Sequence, residues 1–204
     1  MMPLPSDDPR LLRALETLSQ EGEDEHSGSV SNPDWTALHW FAAKKEGDPI
    51  RAQARCLLGE DINAVSAQGD TPLHVAVWQK NASQVGFLLA MGALASLANK
   101  KDDLPFHLAL RKRELALAER LLPEAELSEA QAIRALKQWG EGLAASTPAA
   151  SPVWKWAVAL PRGLWEQSGV EARLPEPLRI ALRAGVLERA LPQPPSVRAA
   201  KPRF

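Results

Sequence analysis

Cysteine occurs once in these 204 residues, at Cys56, and tyrosine does not occur at all. A single thiol excludes an internal disulfide, so a reducing, cytoplasmic setting is expected. Charge of one sign is also lacking: 24 Lys and Arg stand against 25 Asp and Glu, for a net charge of -1. That balance provides none of the electrostatic surplus of a nucleic-acid binder. No uninterrupted apolar run approaches the roughly 18 residues of a membrane span. The opening MMPLPSDDPRLLRALETLSQ has acids where a signal peptide needs bases.

Catalytic motifs are missing too. There is no Gly-x-Ser-x-Gly elbow, no Walker loop, no Gly-x-Gly-x-x-Gly, no Cys-x-x-Cys and no His-x-x-x-His pair. Residues 128–191 contain no His, Cys or Asp, which leaves poor material for acid-base chemistry. A non-enzymatic chain without cofactor or metal is expected.

The charge balance hides an asymmetry. Residues 1–34 hold eight acids and two bases, whereas the last sixteen residues hold Arg189, Arg198, Lys201 and Arg203 with no acid. Both ends read first as solvated tails, with an electrostatic contact as the alternative.

What is present is a repeat. DWTALHWFAA (34–43), GDTPLHVAVW (69–78) and DDLPFHLALR (102–111) align on His39, His74 and His107, spaced by 35 and 33 residues. An apolar second segment follows His74 and His107: VGFLLAMGALAS at 85–96 and LALAERLLPEAEL at 115–127. In the first unit the Leu57-Leu58 pair lies four positions later than Leu88-Leu89 does, so GDPIRAQAR should form a longer loop or helix.

The period of about 33 and the match at Thr71, Pro72, Leu73, His74, Ala76, Leu88, Leu89, Gly92 and Ala93 resemble the ankyrin repeat family. The resemblance implies an all-α helical solenoid with short β-turn fingers. Thr71 is placed to cap a helix and Pro72 to occupy its first turn. His74, by resemblance, bonds back to the turn and ties adjacent units together, and His39 and His107 hold equivalent places. A metal site on the three histidines is disfavoured, because equivalent positions in stacked units lie about 10 Å apart while zinc needs ligands within about 2.1 Å of itself.

The expected organisation is an acidic segment at 1–31 with a capping helix at 8–20, repeats at 32–66, 67–99 and 100–127, a degenerate helical region at 128–191, and a basic tail at 192–204. Asp8 and Pro9 suit the start of the capping helix, and Pro123 should stop the third unit's second helix early. Ser128 is a plausible cap for 128–143, and 144–152 reads as a linker. WKWAVALPRGLWEQSG (154–169) should be an irregular helix pair. EPLRIALRAGVLERAL (176–191) reads as a further decayed unit with Arg179 in the histidine place.

Ankyrin partners, by resemblance, meet the turn tips and the outward positions of the first helices. Carried over, the tips are Pro33, Trp35, Gln68, Asp70, Lys101 and Asp103, and the helix positions are Ala43, Lys44, Trp78, Gln79, Arg111 and Lys112. Trp35 and Trp78 then stand on the binding face, where Trp is enriched at hot spots. The competing reading packs Trp78 against the N-terminal helix, the 21–33 connector or the first-unit insertion. Trp40, Trp139, Trp154, Trp156 and Trp165 are assigned to the core.

Arg111, Lys112, Arg113, Lys100 and Lys101 add positive charge, which points to an acidic protein surface as partner, or to the chain's own acidic N-terminus. The expected function is that of a protein-binding adaptor, monomeric when unbound, with a composition suited to a bacterial chain. An immunity protein for a cognate toxin and an effector delivered to a host cell are the alternatives.

Overall fold

The computed structural model describes residues 2–21, 34–144, 146–174, 176, 179, 180 and 183. Among these residues the regular structure is helical, with no strand. The connector beyond residue 21, Pro33, most of the 176–191 unit and the basic tail lie outside the described residues.

The chain opens with α1 (Pro9–Glu21). The Asp8 carboxylate accepts from the Arg10 backbone N–H at 2.9 Å, and Pro9 occupies the first turn where its missing N–H costs nothing. Leu11 and Leu18 are buried against Ala54 of α3 (Pro49–Leu57). The Gln53 amide closes the contact, donating to the Leu4 carbonyl at 2.6 Å and accepting from the Leu4 N–H at 2.8 Å.

Three helix pairs follow: α2 (Ala37–Ala43) with α3, α4 (Pro72–Trp78) with α5 (Ala82–Ala90), and α6 (Pro105–Arg111) with α7 (Leu115–Leu121). The first helices α2, α4 and α6 pack side by side in chain order, and α8 (Glu129–Gly142) continues the row. Ala42, Ala76 and Ala109 are fully buried in it, where helices approach too closely for a larger side chain.

The first unit departs from the sequence register. Its inter-helix turn, 44–48, is two residues longer than 79–81 or 112–114, and α3 has the same length as α5. Leu57 and Leu58 therefore fall at the end of α3, 52 % and 54 % exposed, and are not the counterparts of Leu88 and Leu89. The extra turn is held from the next unit: Gln84 Nε2 donates to the Lys44 carbonyl at 2.6 Å, and Asn81 Nδ2 donates to Lys44 and Lys45 carbonyls at 3.2 Å.

Helices α3, α4, α5 and α6 share one ending. The residue after the C-cap turns into left-handed backbone, and two N–H groups reach back to the last free carbonyls. In α5 these are Gly92 to Leu89 and Ala93 to Leu88, at 3.0 and 2.9 Å. In α6 they are Arg113 to Leu110 and Glu114 to Ala109, at 3.0 and 2.9 Å. Gly59 and Gly92 suit that conformation, but Lys80 and Arg113 adopt it at φ 58° and 60°. An L-residue strains there by about 1 kcal/mol. Arg113→Gly should therefore raise stability by about 0.5–1 kcal/mol, read as a higher urea midpoint at unchanged m-value.

Pro123 ends α7 at Leu121, and a 3-10 turn at Leu122–Glu124 leads to α8, capped by Ser128. Residues 146–151 hold no regular structure, and Ser151 at their end caps α9 (Pro152–Ala159), accepting from the Val153 N–H at 3.2 Å. The α9 and α10 (Arg162–Ser168) pair stands where an irregular pair was expected, with α10 on α8 and α9 on α7. Trp139 and Trp165 are buried, while Trp154 and Trp156 pack on this core half-buried. Gly140 is required by close approach: a Cβ there would lie 2.1 Å from Val170 Cγ1.

Candidate functional site

The site is built by a ladder of histidines. His74 sits at the third position of α4, where its Nδ1 accepts from the Thr71 N–H at 3.2 Å, and Thr71 Oγ1 lies 2.9 Å away. Its Nε2 donates to the Asp103 carbonyl of the next unit at 2.9 Å. His39 repeats this with the Thr36 N–H at 3.2 Å and the Asp70 carbonyl at 2.9 Å. His107 repeats it with the Leu104 N–H at 3.0 Å and the Gln131 carbonyl at 2.9 Å. The backbone donor at Nδ1 fixes the proton on Nε2, so each ring is a neutral tautomer. Burial pushes all three below the ordinary histidine value.

Sequence reading missed a fourth rung. Gln131 stands in α8 where a histidine stands in the other first helices, and its Oε1 accepts from the Ser128 N–H at 3.1 Å. The signal was there in Ser-x-x-Gln, a capping box. It went unread because Ser128 follows Leu104 by 24 residues instead of about 33.

The ladder places the turn tips. Turns 66–70 and 99–103 have one design: Ser66 N to Asp70 O at 2.9 Å and Asn99 N to Asp103 O at 3.0 Å, each closed by the first residue's side chain. Gly69 and Asp102 hold the left-handed position, at φ 77° and 58°. Neighbouring tips are stitched by Lys100 N–H to the Gln68 carbonyl at 3.0 Å and Asn99 Nδ2 to Asp70 Oδ1 at 2.7 Å. Asp34 extends the row by accepting from the Ala67 N–H.

Between the tips and the first helices lies a groove. Trp35, Gln68, Asp70, Trp78, Gln79, Lys101 and Arg111 all line it, and Val75 and Leu108 line it from α4 and α6. The structure thus brings together seven of the twelve positions assigned to partner contact. Trp78 is 50 % exposed. Lys112 Nζ sits 3.3 Å from the centre of its ring and the Arg111 guanidinium 6.0 Å away, so the cations beside it come from the end of α6 and its C-cap. Trp35 is half-buried, with Trp40 edge-on at 4.9 Å and His39 stacked at 5.9 Å.

Two assignments need correction. Asp103 is not a free tip residue: it is 2 % exposed, and its carboxylate accepts from Arg111 Nη1 at 2.6 Å with Arg134 Nη1 at 3.4 Å. A carboxylate buried there must be paired, and the fold supplies two guanidinium groups for it. Lys44 is exposed but does not line the groove; its backbone is extended where that of Gln79, the matching C-cap of α4, is helical, and Lys112 stands beside the groove against Trp78. Cys56 is half-buried, and burial pushes its thiol up to about 11, a neutral and unreactive form.

A family model described as ankyrin repeats in three copies matches residues 10–99. That span begins within α1 and closes on Asn99, the first residue of the third turn. Protein lin-12 of Caenorhabditis elegans is 32 % identical over 98 residues, 45 % of this chain and 7 % of that protein. The ankyrin repeat and LEM domain-containing protein 1 homolog of the same organism is 34 % identical over 85 residues, 41 % of this chain and 12 % of that protein. The chain therefore spans only a small part of these relatives. No described helix is long and apolar enough to cross a membrane.

Proposed function

We propose, from the match of residues 10–99 to the ankyrin-repeat model, that the chain is a non-enzymatic adaptor that holds another protein in the groove from Trp35 across Trp78 to Arg111. Ankyrin repeats generally mediate protein–protein interaction. The observation that carries the reading is Trp78, half exposed at the end of a helix in which Leu73, His74, Val75, Ala76 and Val77 are all buried. Packing explains those five; it does not explain an indole left in solvent over a groove. Adaptor, immunity protein and effector would all use this face, and the captured partner's identity separates them.

The test is affinity capture from the source cell on wild type beside Trp78→Ala. Because the side chain is exposed, the variant should keep its helical circular dichroism and lose its partner by about tenfold or more. A partner retained equally by both proteins removes Trp78 from the interface.

A further inference from the structure

We propose that the groove takes an acidic peptide segment of the partner, with an apolar side chain against the Trp78 indole and a neighbouring carboxylate on the edge formed by Lys101, Arg111 and Lys112. This deepens the protein-binding reading and rests on it.

Charge is distributed unevenly along the groove. Residues 100–113 carry five cations and two carboxylates, and Arg134 joins them from α8. Asp103 is buried beneath Arg111 and Arg134, and the Asp102 carboxylate lies 3.8 Å from Arg134, so both carboxylates are already paired and the surplus is positive. Arg111 keeps a side-chain exposure of 41 % while Asp103 holds one edge of its fork at 2.6 Å. The remaining N–H groups are held in place for a second carboxylate, the bidentate chemistry that suits Arg. Lys101 and Lys112 form no ion pair among the described residues.

The apolar half of the recognition stands beside this edge. Lys112 and Arg111 both lie against the Trp78 ring, so an apolar group on the indole brings an adjacent acid within reach of both cations. Burying the pair together takes the charges partly out of water, which strengthens them. At the other end the sign reverses: Asp70 lines the groove and Asp34 lies at the first tip. A polyanion such as a nucleic acid would have to run its phosphates past those carboxylates, whereas a peptide places its acid at one end only.

The test starts from random dodecapeptides displayed on phage and selected on the full chain. Enriched peptides, fluorescein-labelled, are then titrated against wild type, Trp78→Ala and the double variant Lys101→Glu/Lys112→Glu, each checked by circular dichroism. The enriched peptides should pair Asp or Glu with an adjacent apolar residue. Each variant should weaken binding by about tenfold or more, and wild-type affinity should fall as salt rises from about 50 to about 500 mM. Trp78-dependent peptides without acids, or ones indifferent to charge reversal, overturn the acidic assignment and leave the face a protein-binding one. Recovery of no Trp78-dependent peptide, or binding of fluorescent oligo(dT) that Trp78→Ala abolishes, overturns both.

Discussion

Trp139→Ala should cost about 3–5 kcal/mol, a large share of the stability of a domain this size. The ring is fully buried, and its indole N–H donates to Thr147 Oγ1 at 3.0 Å. Trp154 and Trp165 meet it edge-on at 6.2 and 6.1 Å, so one side chain joins α8, α9 and α10. Truncation leaves a cavity where three helices meet and reduces the Thr147 hydroxyl beside it to its one bond to the Leu143 carbonyl. The damage should be regional, because units in a stack touch only their neighbours. Hydrogen exchange on Trp139→Ala should show α8 to α10 losing protection well before α4. Equal loss of protection in α4 and α10 would mean that the whole array unfolds as one unit. Trp139→Phe, which keeps most of the ring, should recover much of the loss.

Lowering the pH from about 7.5 to about 5.5 should destabilise the protein steeply, through the three histidines of the ladder. Each has a folded-state value depressed by burial, while the unfolded chain titrates near the ordinary 6.5. Between those values the unfolded state binds the proton and the folded state refuses it. The stability is fully present above about 6.5 and declines as pH falls below it, by up to about 1.4 kcal/mol per pH unit for each ring. Geometry gives the same sign, since a second proton on Nδ1 would face the backbone N–H of Thr36, Thr71 or Leu104. Urea unfolding at several pH values measures the slope. Gln131 shows that an amide can fill this place without titrating. His74→Gln should accordingly remove about one of the three protons from the slope, whatever it costs in absolute stability.

Much of this was legible in the amino-acid order. Thr71 to Val77 spells out a capped, small-residue, core-facing helix, the histidine spacing shows the period, and the ankyrin resemblance implies the face on which Trp35, Trp78 and Arg111 meet. What escaped was whatever broke the spacing. The two-residue longer turn after α2 shifted the apparent Leu pair of the first unit out to solvent. The 24-residue step from Leu104 to Ser128 hid Gln131. Asp103 escaped for another reason: its register position is a tip, but Arg111 turns back onto it from α6 and Arg134 joins from a helix that the repeat pattern does not cover.

The short step into α8 also limits how much of a partner can be read. Since α8 arrives without a turn like 66–70 or 99–103, Arg134 Nη1 reaches the Lys101 and Asp102 carbonyls and closes the row at the third tip. Three tips in steps of about 10 Å make a gauge of roughly 20 Å. An extended chain rises about 3.3 Å per residue, so the groove measures out a stretch of about six residues.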